Sequence, residues 1–155
     1  MKQLLAISSL GFAIMLSAAP AILAQNNSVT AAPVPSQILG AKKVFVANTG
    51  AGFDSSAWSG GPDRIYNEFY SALKGRGRFE LVTSPSDADL VLYVNVIPSS
   101  VAWQFKLDIL DPKTGIVLWA VYEPTPIMAS QKTRDKNFDD SISKLASDLS
   151  GLTAH

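Results

Sequence analysis

The chain has 155 residues, with 13 Lys and Arg against 13 Asp and Glu, one histidine and no cysteine. A zero net charge excludes broad electrostatic capture of nucleic acid or of an anionic membrane, which needs concentrated positive charge. Without cysteine there are no disulfide staples and no thiol chemistry, so the fold stands on its apolar core.

Lys2 precedes LLAISSLGFAIMLSAAPAILA at 4–24, an apolar stretch ending in small residues, which is the pattern of a cleaved secretory signal. Ser8, Ser9, Ser17 and Pro20 weaken it as a membrane span. Residues 1–24 are therefore expected to be a signal peptide, cleaved after Ala24 or Ala21, leaving a periplasmic or secreted chain with no stable span. No cysteine follows the stretch to carry a lipid. Cleavage after Ala24 removes Lys2 alone among charged residues, leaving 12 basic against 13 acidic side chains. QNNSVTAAPVPSQILG at 25–40 is small, polar and proline-bearing, and reads as a flexible linker. Residues 41–155, about 115 residues, suffice for a single α/β domain with one core.

In chain order, KVFVAN from Lys43 is a short apolar run with β-branched and aromatic residues, read as a buried strand. A glycine and serine loop follows, then Pro62 and Asp63 as a helix start. Ile65, Phe69, Ala72 and Leu73 recur at helical spacing with Arg64, Glu68 and Lys74 turned outward, and the helix is expected to end at Gly75. KGRGR at 74–78 reads as cations at the helix's negative end followed by glycine stop signals. FELVTS from Phe79 is a second strand. ADLVLYVNVIP from Ala88 is apolar on both faces and belongs inside the sheet. VAWQFKLDILD alternates sharply, with Trp103, Phe105, Leu107 and Ile109 on one face and Gln104, Lys106 and Asp108 on a wet one. DPKTG at 111–115 has the chemistry of a tight turn, and GIVLWAVYE is the return strand, ended by Pro124 and Pro126. Phe138, Ile142, Leu145, Leu149 and Leu152 then make one helical stripe. The expected fold is α/β (α+β): two helices on one face of a mostly antiparallel sheet of about five strands, in the order β-α-β-β-β-β-α.

Catalytic chemistry finds little to use. His155, the only histidine, is the final residue, so no Ser-His-Asp or Cys-His base is expected and zinc lacks its usual ligands. No metal site and no cofactor are expected, and the chain reads as a non-enzyme. NTGAG at 48–52 lacks the Walker spacing, and Ser55 stands where a dinucleotide loop needs its third glycine. The long loop 50–61 still leaves a small-molecule or nucleotide-phosphate site, using Gly50, Gly52 and Asp63, as an alternative. Asp87 with Asp89 and Asp139 with Asp140 are adjacent carboxylates, read as turn caps and solvated faces. Trp58, Tyr66 and Tyr70 are the candidate partner-binding aromatics, with the tyrosines a helical turn apart. The competing account has Trp58 folding back while the tyrosines cover the edge of the core.

NEFYSALKGRGRFELVTSPSDADLVLYVNV, LDILDPKTGIVLWAVYE and TRDKNFDDSISKLASDL together resemble a set of small exported bacterial proteins found in acidobacteria-like genomes, to which no activity is attached. The plan of strand, helix, ADLVL strand, D-x-x-T-G-x-V-x-W hairpin and final helix is more loosely similar to three envelope domains. These belong to the curli secretion channel lipoprotein, the amino-terminal part of the Tol translocation protein, and the lipoprotein activators of penicillin-binding proteins. That likeness implies an assembly or docking module with an envelope or extracellular protein as partner, in an unknown oligomeric state.

Overall fold

The computed structural model describes residues 32–48, 57–99, 102–126 and 128–153. Five strands, β1 (Lys43–Ala47), β2 (Glu80–Leu81), β3 (Leu90–Ile97), β4 (Ala102–Leu110) and β5 (Val117–Pro126), form one sheet in the order β2-β1-β3-β4-β5. The described helices are α1 (Ser36–Gly40), α2 (Arg64–Arg76) and α3 (Gln131–Leu152). The doubly apolar strand β3 takes the middle of the sheet, as its composition predicts. β1 pairs in parallel with both β2 and β3, while β3 with β4 and β4 with β5 are longer antiparallel ladders, so the sheet is mixed with most of its pairing antiparallel.

Alternation along the strands sends one row of each to the helices. Val44, Leu90, Leu92, Phe105, Leu107 and Ile109 meet Phe69 and Leu73 of α2 and Phe138, Ile142, Leu145 and Leu149 of α3 in one buried cluster. The period of 3.6 in the helices and of 2 in the strands is what brings these rows together. The hairpin forms as its sequence demands: the Asp111 carboxylate accepts from Lys113 N at 3.0 Å and Thr114 Oγ1 at 2.8 Å, and Gly115 takes φ 70°.

Several elements differ from the sequence reading. The stretch 25–40, read as a linker, ends inside the domain, because residues 36–40 form α1 and Ile38 is fully buried. Gln37 fastens that turn, its amide donating to Asp89 O at 3.2 Å and to the Asp111 carboxylate at 3.4 Å. α2 runs on to Arg76 and closes on Gly77 at φ 62°, the left-handed cap that glycine takes without strain. β2 shrinks to two residues; Val82 N still reaches Val44 O at 3.0 Å before a 3-10 turn at Pro85–Asp87 leads the chain away.

β5 continues through Pro124 and Pro126 instead of stopping before them. It is the sheet's edge, where a proline two residues from another loses no ladder bond if both nitrogens point outward. Asp108 faces away from the helices as expected, yet it is only 8% exposed and is held 2.8 Å from Lys106 Nζ. Arg64, read as outward, turns into the cleft between α2 and α3.

Candidate docking surface

The predicted site residues do not come together as a surface. Trp58, expected to face a partner, is buried in a cluster with Trp103 at 4.8 Å, Phe138 at 5.2 Å and Phe105 at 5.7 Å between ring centres. An indole packed on three sides by aromatic rings is core, so the partner role is corrected to a packing role. Tyr66 and Tyr70 are half-buried, 5.8 Å apart, and lie against the core from α2. Gly50 and Gly52 lie outside the described residues. Asp63 stands at the N-cap of α2 without capping it, and its carboxylate accepts from Asn48 Nδ2 at 3.0 Å. Beside it lies a narrow crevice lined by Val46, Asn48, Pro62, Ile65 and Tyr66.

What the sequence reading missed is an ionic clamp that pins the start of α2 and the preceding turn to α3. Arg64 donates to Ser59 O at 2.8 Å, to Asp135 at 2.7 Å and to Asp139 at 2.6 Å, with its guanidinium 4.3 Å over the Phe138 ring. Asp135 also accepts from the Ser59 hydroxyl at 2.7 Å and the Ser59 N–H at 2.9 Å. The Ser59 hydroxyl, its N–H, Arg64 and Gln131 together hold the Asp135 carboxyl well below the usual carboxylate range. Farther along, Arg76 donates to Ser143 O at 2.6 Å and Arg78 to Thr153 O at 3.0 Å, so the basic cluster at 74–78 ties α2 to α3.

Carboxylates elsewhere are also spent on the backbone. Asp89 accepts from Lys43 N at 2.8 Å and Lys42 N at 2.9 Å, which lowers its pKa, and Asp139 and Asp140 separate to Arg64 and Lys136. A groove of about 550 Å³ lies beside α1 between Gln37, Asp89, Asp111 and Lys113. Its carboxylates are occupied by the hydrogen bonds that fix α1 and the hairpin turn. Among the described residues no group of His, Cys, Asp and Glu is arranged to hold a metal ion. No described helix is long and apolar enough to cross a membrane.

The sheet's second face is different. In register across it run Phe45, Val91 and Leu110, then Ala47, Tyr93, Asp108 and Ala120, then Asn95, Lys106 and Tyr122, then Ile97, Gln104 and Pro124. Neither α2 nor α3 covers this face, since both lie on the other. Tyr93, Ile97 and Tyr122 are 36%, 39% and 51% exposed. Lys106 is the centre of the face, paired with Asp108 and 6.0 Å from the Tyr122 ring centre.

No family model matches the chain, and neither does any curated protein sequence. Among solved structures it is similar to a dodecamer of a PelC variant from Paraburkholderia phytofirmans, at 14% identity and a TM-score of 0.49, over 77% of this chain and 95% of that one. A Xanthomonas campestris protein of the DUF330 family matches at 11% identity and a TM-score of 0.47, over 78% of this chain and 85% of that one. An uncharacterised lipoprotein B from Nitrosomonas europaea matches at 10% identity and a TM-score of 0.42, over 80% of this chain and 89% of that one.

Proposed function

We propose that this chain is an exported, non-catalytic docking domain of the bacterial envelope, which holds a protein partner on the open face of its sheet. The observation that carries the reading is that face: aromatic and aliphatic side chains stand in register around an ion pair, with neither α2 nor α3 over them. Exposed aromatic side chains such as Tyr93 and Tyr122, set beside an ion pair, are the kind of residue enriched at protein contacts. The signal-like segment 1–24 supports export, and the small exported bacterial proteins that the sequence resembles support an envelope setting.

The test is recovery of binding partners from bacterial envelope extracts, comparing the wild type with a Tyr93→Glu, Tyr122→Glu double variant shown by urea unfolding to keep its stability. A partner bound by the wild type and lost by the variant is the expected result. Equal recovery by both, or turnover of a substrate abolished by one point change, refutes the reading. The alternative, a nucleotide or sugar phosphate at the start of α2, is tested by thermal shift, where a ligand at a hundredfold its Kd adds about 2.7 kcal/mol.

A further inference from the structure

The outer edge of β5 is built in two different halves. Pro124 stands opposite Gln104 and Pro126 opposite Ala102, so both turn their backbone groups away from β4. There the proline nitrogens have no hydrogen to leave unpaired. Their carbonyls are taken by α3: Pro124 O accepts from Ser141 Oγ at 3.2 Å and Pro126 O from Asn137 Nδ2 at 3.3 Å. This half is sealed.

The other half is not. Ala120 opposite Asp108 and Tyr122 opposite Lys106 have the same alternation as the prolines, so their N–H and C=O groups also leave the sheet. Among the described residues these groups have no partner. The run IVLWAVY at 116–122 holds no charge and no proline, the two devices that normally blunt an edge. Ile116, Val117 and Tyr122 are exposed along it.

We propose that the half-edge from Val117 to Tyr122 is a strand-addition site that takes an extended, uncharged segment of a partner protein as the sixth strand. This rests on the docking reading above and names the contact within it. Main-chain hydrogen bonds to Ala120 and Tyr122 supply affinity, and the uncharged flank selects an uncharged strand. A second copy of this chain paired antiparallel is disfavoured on steric grounds. α3 lies over β5, with Lys144 reaching Glu123 at 2.7 Å and Ser141 and Asn137 reaching the edge carbonyls. Antiparallel pairing of two β5 strands keeps both helical layers on one side. It sets two helix-covered strands about 4.8 Å apart where packed helices need about 8–10 Å.

The test is amide hydrogen exchange of the purified chain with and without an acetylated, amidated heptapeptide of alternating threonine and valine. Binding is expected to slow exchange at Ala120 and Tyr122 by about tenfold, with the amides already paired to β4 unchanged. Ala120→Pro and Tyr122→Pro each copy the geometry of Pro124, keep the ladder to β4, and are expected to lose the peptide. Unchanged exchange, or variants that bind like the wild type, overturns the proposal. Slowing that follows protein concentration without peptide, with a doubled mass in sedimentation, overturns it in favour of self-pairing. Failure here while the Tyr93, Tyr122 variant still loses its partner removes only the edge and leaves the docking reading standing.

Discussion

Replacing Trp58 by alanine separates a packing role from a partner-facing one. The indole is 8% exposed and touches Trp103, Phe105 and Phe138. Truncation to a methyl group removes roughly 150–200 Å² of buried apolar surface, worth about 4–5 kcal/mol at ~25 cal/mol per Å². Large aromatic deletions in cores cost about 3–5 kcal/mol, which brackets the same range. A domain of this size has about 6–15 kcal/mol in all, so about a quarter or more of its stability is at stake. With an m-value of about 2 kcal/mol/M, the urea midpoint is expected to fall by about 2 M. Trp58→Phe, which keeps a ring against Trp103, is expected to fall by about half as much. A Trp58→Ala midpoint within about 0.5 M of the wild type, together with loss of partner recovery, would refute the packing argument and return Trp58 to the surface.

The remaining predictions concern charge, backbone and one orphan hydroxyl. Because the Asp135 carboxyl is held below its ordinary pKa, it contributes stability that is full above the unfolded value of about 4 and drains as pH falls. Asp135→Asn is therefore expected to be less stable at neutral pH and to show a flatter loss between about pH 5 and pH 2 in urea titrations; parallel acid slopes would contradict this. Gly77→Ala at φ 62° is expected to cost about 1 kcal/mol, while Gly75→Ala, inside α2 with open space around the added carbon, gains up to about 1 kcal/mol. Chemical unfolding of the two variants should move in opposite directions. Thr125 is fully buried and its Oγ1 has no hydrogen-bond partner among the described residues, so Thr125→Val is expected to raise stability by about 1 kcal/mol. A measured loss would show that the hydroxyl is satisfied in solution.

Much of the local structure was legible because periodicity is a local property. The sharp alternation of β4, the stripe of α3 and the DPKTG turn each declare themselves within a few residues, and each forms where it was expected. The candidate site was less legible. Trp58 reads as exposed from its loop, and only the convergence of β4 and α3 around it shows that it is core. Arg64 reads as solvated from its helix, and only α3, more than seventy residues away in sequence, supplies the carboxylates that hold it. Asp108 reads as wet until Lys106 and its neighbours across the sheet enclose it.

By itself the sequence determined that the chain has a signal-like start, a core without disulfides and a sheet with helices on one face. Its composition of one histidine and no cysteine was equally plain. These follow from composition and from spacings of two to four residues. The tertiary structure decided which polar groups neutralise one another, which face of the sheet stays open, and that β5 survives its prolines by standing at the edge. Strand order and long-range pairing set those outcomes, because whether a side chain or a backbone group meets water depends on segments distant in the chain.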